Sequence, residues 1–368
     1  MRFVITAMSF LAVFLGLNAS NAAPPASSSS ASGPTIQVWN VPKDVYIRRI
    51  YAAGEVVFAY GHSMNGTILY RLKLDTKTGK WTDANELIPD EAGSSSQRLD
   101  IVYPSPDGKH ALIGCTYASP HFESQLYLLE IGNDKAVAVK ASLPEGSGLM
   151  PVWRGNDSFL ISTWASGNGP TRLKKPVLFD VTGKKISECE GYVFIWGASA
   201  DGKAIIGVGD PDHLTEPPEP GRIFPKLGRL LVMDENLKVL RTIDAMPAGT
   251  ISPNGKYVGI QRRPPSTQPT TARFSNYSVI ATDGKWEGPV LSNPNMIAIY
   301  TCDDGDLLCL TVLPENAVET TDKLIRLDRQ GQETVLMTHV LAAAVSGDTL
   351  YYIQEPPKLK AVKLSALK

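Results

Sequence analysis

The sequence is defined first by what it lacks. It has only four cysteines in 368 residues, Cys115, Cys189, Cys302 and Cys309, at spacings that match no disulfide framework and no metal-binding motif. Its charge is balanced: 36 Lys and Arg against 37 Asp and Glu leave a formal net charge of −1. That removes the electrostatic footprint expected of a nucleic-acid binder. After the first seventeen residues no segment approaches the roughly 20 apolar residues needed to cross a bilayer. There is no G-x-S-x-G elbow, no H-E-x-x-H, no C-x-x-C-H and no phosphate-cradling glycine loop. No catalytic constellation can be read locally. Enzymes that collect their ligands from several distant strands remain open.

Glycine and proline are plentiful, at 31 and 27. Many short strands joined by tight turns require such a composition. Arg2 followed by the mostly apolar stretch Phe3–Leu17 and the small residues Ser20-Asn21-Ala22 reads as a signal peptide over residues 1–22, cut near Ala22 or Ala23. No cysteine stands near that site to take a lipid. Residues 23–34 form an Ala/Ser/Pro-rich linker without the means to bury a core. Residues 35–368 are expected to form one domain. The expected location is periplasmic or secreted, and a monomer is expected.

One phrase repeats through that domain. Ser105-Pro106-Asp107-Gly108-Lys109 precedes HALIG, Ser199-Ala200-Asp201-Gly202-Lys203 precedes AIIGV, and Ser252-Pro253-Asn254-Gly255-Lys256 precedes YVGIQ. Degenerate copies follow the same period at Ala53-Gly54-Glu55, Gly155-Asn156-Asp157-Ser158, Asp303-Asp304-Gly305-Asp306 and Ser346-Gly347-Asp348. Asp-Gly and Asn-Gly are strong hairpin signals because the turn needs positive φ. Each of the first six copies is followed by a second strand pair, so each repeat reads as four antiparallel strands, a to d. The seventh is one strand short at the C-terminus. Thr35–Val41 is a strand without a repeat, and pairing it into the last blade would close the ring and remove an exposed edge. The expected fold is all-β, a seven-bladed β-propeller of four-stranded blades closed by the N-terminal strand.

The S-P-D-G-K turn between β-runs resembles the repeat of TolB-like and related WD40-like propellers, at the level of fold over residues 35–368. The WD dipeptide signature is absent. The resemblance implies a periplasmic or secreted scaffold and carries no specific activity.

In this arrangement the a–b and c–d turns lie on one face. The longer connections lie on the other: Gly61–Thr67, Thr116–Ser124, Ala165–Lys175, Asp210–Gly228, Arg262–Asn276 and Leu313–Asp322. Long loops on a rigid frame are where binding residues concentrate. The candidates there are Arg172, Arg222, Arg262, Arg263, Arg273, His121 and His213, with Arg48 and Arg49 on an innermost strand. Asp210, Asp212 and His213 bring two carboxylates and an imidazole together and are weak candidates for a metal ion; no other cofactor is evident. The leading expectation is a binding module that engages a protein, peptide or glycan on the long-loop face. The alternative is a lactonase- or lyase-type enzyme, with or without a metal, whose polar axial funnel gathers Arg48 or Arg49, a histidine and a carboxylate. Cys302 and Cys309 flank one hairpin and could pair; four free thiols are the other reading.

Overall fold

The computed structural model describes residues 34–63, 69–88, 97–117, 124–133, 136–139, 147–165, 172–216, 229–262, 276–292, 296–311 and 322–367. Residues 1–33, which hold the expected signal peptide and most of the linker, lie outside the described residues. Pro34–Lys368 forms one compact unit.

Among the described residues that unit is built from seven sheets, six of strands consecutive in the chain and one that joins the two ends of the chain. Blade 1 is Val45–Ala53, Val56–Ser63, Leu69–Asp75 and Lys80–Asp83. Blade 2 is Gln97–Pro104, His110–Tyr117, Ser124–Glu130 and Val137–Ala138, and blade 3 is Ser147–Arg154, Ser158–Ala165, Val177–Asp180 and Lys185–Glu188. Blade 4 is Phe194–Ala198, Ile205–Gly209, Arg229–Met233 and Val239–Ile243; blade 5 is Met246–Ile251, Tyr257–Arg262, Asn276–Ala281 and Leu291–Ser292. Blade 6 is Met296–Thr301, Leu307–Thr311, Lys323–Leu327 and Glu333–Thr338. Blade 7 takes Val340–Ser346, Thr349–Gln354 and Lys358–Lys363 from the C-terminus and Gln37–Asn40 from the N-terminus. The register of that last pair runs from Gln37 opposite Ala361 to Asn40 opposite Lys358. The ring closes as the strand count requires.

Three details depart from expectation. A short strand, Arg172–Leu173, pairs back onto Trp164–Ala165 inside what the sequence offered as a loop. The outer strand of blade 5, expected over Lys285–Leu291, is reduced to Leu291–Ser292 with a lone bridge at Glu287. The outer strand of blade 2 covers two residues, Val137–Ala138, among the described residues. Outer strands have one neighbour and one open edge, so little holds them to full length.

The repeated phrase has a physical meaning. In blade 2 the Ser105 hydroxyl donates to Asp107 Oδ1 at 2.7 Å and accepts the His110 N–H at 3.0 Å, while Asp107 Oδ1 accepts the Lys109 N–H at 3.0 Å. Ser199, Asp201 and Lys203 repeat this network in blade 4, and Ser252, Asn254 and Lys256 repeat it in blade 5. Side-chain oxygens thus satisfy the N–H groups that the hairpin reversal leaves without strand partners.

Both faces of each blade are covered by neighbours, which is why the middles of the second strands are mainly apolar. Val57, Phe58, Ala111, Leu112, Ile113, Ile205 and Ile206 are fully buried. Trp153 and Trp196 are inter-blade struts: their indole N–H groups donate to Tyr103 O in blade 2 at 2.8 Å and to Gly249 O in blade 5 at 3.0 Å. Cys189, Cys302 and Cys309 are free thiols.

Candidate functional site

The C-terminal halves of the inner strands converge on an axial cavity of about 1050 Å³. Blades 1, 2, 4, 5, 6 and 7 all contribute to it, and the a–b turns of blades 2, 4, 5, 6 and 7 are part of its lining, so it lies at the short-turn end of the channel. Its wall is mainly apolar, with Ile50, Val102, Ala198, Ile251 and Ile299. Blade 7 makes the room. Its inner strand reads Leu341-Ala342-Ala343-Ala344-Val345, and Ala343 and Ala344 stand opposite Tyr352 and Tyr351 of the next strand. Tyr51, Tyr103 and Tyr300 bring phenol rings to the same wall. Burial pushes the Tyr103 phenol up to about 12 and raises Tyr300 as well, the latter also raised by the carboxylates of Asp303 and Asp348.

The ring of a–b turns around the mouth is tied nearly all the way round. Gly54 N–H donates to Ser346 Oγ at 3.0 Å between blades 1 and 7. Asp107 N–H donates to Asn156 Oδ1 at 3.1 Å between blades 2 and 3, and Ala200 N–H to Pro253 O at 2.8 Å between blades 4 and 5. Asn254 N–H donates to Asp303 Oδ1 at 2.8 Å between blades 5 and 6. Gly54 and Gly108 approach so closely that a Cβ on Gly108 would sit 2.4 Å from the Gly54 nitrogen. Blades 3 and 4 meet in the same way, a Cβ on Gly202 falling 2.8 Å from the Gly155 nitrogen, and like blades 1 and 2 they share no turn-to-turn hydrogen bond among the described residues. Blades 6 and 7 lack both kinds of contact. No hydrogen bond joins their turns among the described residues, and a Cβ on Gly347 would meet nothing within 4 Å. The cavity extends into this seam, past Leu308, Arg326 and Leu336 of blade 6 to Leu364, Ser365 and Leu367 after blade 7.

The seam is acidic. In blades 2 and 4 the turn aspartate has a lysine after the glycine, Lys109 Nζ at 3.7 Å from Asp107 and Lys203 Nζ at 3.9 Å from Asp201. In blades 6 and 7 the residue after the glycine is Asp306 and Asp348. Arg326 is the guanidinium on this side, and it is occupied: Nη2 lies 3.0 Å from Asp304 Oδ2 and Nε donates to Asp306 Oδ2. The Asp348 carboxylate accepts the Ser365 N–H at 3.1 Å and hydroxyl at 2.8 Å, and no cation pairs with it among the described residues. Burial pushes the Cys302 thiol up to about 12, helped by Asp304, so it is a thiol rather than a nucleophilic thiolate.

The residues singled out from sequence are not gathered here. Arg48 and Arg49 are exposed on the inner strand of blade 1, where the ladder shifts register between Ile47 and Arg49, and neither lines the cavity. Arg262 is structurally engaged: Nη1 donates to Asp244 O at 3.1 Å and Nη2 pairs with Glu287. His213 is exposed with its Nδ1 3.3 Å from Glu216, whose carboxylate raises its pKa. Asp210 Oδ1 accepts the Asp212 N–H at 3.2 Å, a local turn, and no group of three metal-ligating side chains occurs among the described residues. Arg172 is described only as backbone of its short strand. Arg222, Arg263, Arg273 and His121 lie outside the described residues. No described histidine lines the cavity, so the polar axial funnel expected of an enzyme is not formed by the residues named for it. Sequence reading missed the acidic seam, although its signal was present: the copies at 303–306 and 346–348 are the ones in which an aspartate replaces the residue after Gly, next to a run of alanines.

No family model and no curated protein matches this sequence. Solved structures do match in fold. The β-propeller domain of the trilobed protease from Pyrococcus furiosus, described as having an open velcro topology, aligns with a TM-score of 0.52 at 13% identity, over 87% of this chain and 96% of that one. A prolyl endopeptidase aligns with a TM-score of 0.50 at 12% identity, over 88% of this chain and 48% of that one. TolB from Acinetobacter baumannii aligns with a TM-score of 0.43 at 15% identity, over 80% and 64%. The chain therefore spans about half the length of the prolyl endopeptidase. At these identities the likeness is one of fold: the chain is a β-propeller in architecture. No helix among the described residues is long and apolar enough to cross a membrane.

Proposed function

We propose that this protein is an exported β-propeller that works as a binding module, holding a ligand in the axial cavity at the short-turn end. The observation that carries the reading is the cavity itself. It has the size of a ligand pocket, a mainly apolar wall and a few polar groups collected on one side. The described residues offer no activated nucleophile or acid–base pair beside it. The long-loop face is the second surface of this module, suited to a protein, peptide or glycan partner, with His213 as its exposed candidate among the described residues. Export follows from residues 1–22 and the linker after them.

The reading is tested by filling the cavity. A compound library screened by thermal shift should return ligands that raise the melting temperature of the wild type and not that of Ala343→Leu. Hits that stabilise both proteins equally would place binding elsewhere. Export is tested separately, by fractionation and mass spectrometry of the mature N-terminus, expected at Ala23 or Pro24; an intact Met1 in the cytoplasm would refute it.

A further inference from the structure

We propose that the axial cavity selects a small organic cation, an apolar chain or ring ending in an ammonium group. This rests on the reading of the cavity as a ligand seat and adds the class of ligand. The apolar part lies along the alanine-lined wall of blade 7, and the ammonium lies in the seam between blades 6 and 7.

Three independent features converge on that class. The first is room of the right shape, since the cavity does not end at the axis but continues between the turns of blades 6 and 7, which neither a hydrogen bond nor a close glycine contact ties among the described residues. The second is charge. Asp303, Asp304 and Asp348 line the seam against a single guanidinium, and Arg326 already serves Asp304 and the buried Asp306. An anionic head would meet uncompensated carboxylates there, whereas an ammonium would gain from them in a partly desolvated site where attraction is stronger than in water. The third is the Tyr300 ring on the same wall, whose electron-rich face favours a cation. Lys109 and Lys203 face their own aspartates and add little to this field.

The test is calorimetric titration of the full mature chain at pH 7 and about 50 mM salt with three probes of equal chain length: n-octylammonium, n-octanol and octanoate. Octylammonium should bind at least about tenfold more tightly than either of the others. Asp348→Asn, which keeps an acceptor for the Ser365 N–H, should weaken it about fivefold or more and leave octanol unchanged. Ala343→Leu should abolish binding of all three; Ala344→Val serves the same purpose should the first variant fold poorly. Octanoate or octanol binding as tightly as octylammonium, lost in Ala343→Leu, would overturn the cation selection while leaving the seat in place. Probe binding that ignores both filling variants, or no binding by any probe, would overturn the seat and the reading beneath it.

Discussion

Removing the Trp39 side chain should measure how firmly the ring is closed. Trp39 lies on the N-terminal strand, yet its contacts reach across to blade 1. Its indole N–H donates to Thr76 O at 3.1 Å, its ring packs in the core shared by blades 7 and 1, and its centroid is 6.5 Å from Tyr351. Trp81 of blade 1 reaches back, donating to Asn40 O at 2.8 Å. Full burial of a tryptophan is worth about 3–5 kcal/mol on truncation to alanine. Trp39 is half-buried, so about 2 kcal/mol is expected, plus about 1 kcal/mol for the hydrogen bond. At about 2.1 cal/mol/K per residue, a domain of about 335 residues unfolds with an entropy near 0.7 kcal/mol/K. Trp39→Ala should therefore lower Tm by about 4 °C in calorimetry, and Trp81→Phe, which loses its hydrogen bond and part of a ring packed on the same core, by at least about 1.5 °C. A chain beginning at Pro42 leaves the Lys358–Lys363 edge unpaired and should associate on size-exclusion chromatography. If Trp39→Ala melts like wild type and the shortened chain stays monomeric, the closure argument is wrong.

Three further outcomes follow from the same geometry. Gly108→Ala forces a Cβ onto the Gly54 backbone at a φ of +69° and should cost about 3 kcal/mol or more, whereas Gly347→Ala, in the open seam at a φ of +55°, should cost only about 1 kcal/mol; equal urea midpoints would contradict the open seam. Burial would raise the Asp107 and Asp201 carboxyls, but the N–H and hydroxyl donors of their own turns outweigh it and hold both below the usual range, as the Thr182 hydroxyl and the Lys184 N–H do for Asp180. Carboxyls depressed in the folded state stabilise it above the unfolded value near 3.9 and lose that contribution as pH falls through the folded value, so Tm should be level from pH 8 to about 5 and drop below about pH 4; a decline that begins between pH 7 and 6 would point to histidine instead. With its thiol near 12, Cys302 should resist iodoacetamide at pH 8 until the protein is denatured, and prompt labelling of the native protein would refute its burial in the cavity wall.

Sequence alone determined the ring. A tight turn is a local event: Ser105, Asp107, Gly108 and Lys109 meet within a few residues, so their spacing records the structure they make, and the count of such turns is the count of blades. Even the closing strand was legible, because a leftover β-run and a missing one are both visible in the chain. The short strand at Arg172–Leu173 and the reduced outer strand of blade 5 were not, since they depend on how a loop folds back onto its own blade. The cavity and its acidic seam were decided by tertiary structure. Asp303 and Asp348 are distant in sequence, and only the circular stacking of blades 6 and 7 sets them along one opening. Arg262 shows the converse: a loop-edge arginine that looked available is taken up by Asp244 and Glu287. Local turn chemistry is written in consecutive residues, while which charges remain uncompensated is settled by neighbours that only the closed ring brings together.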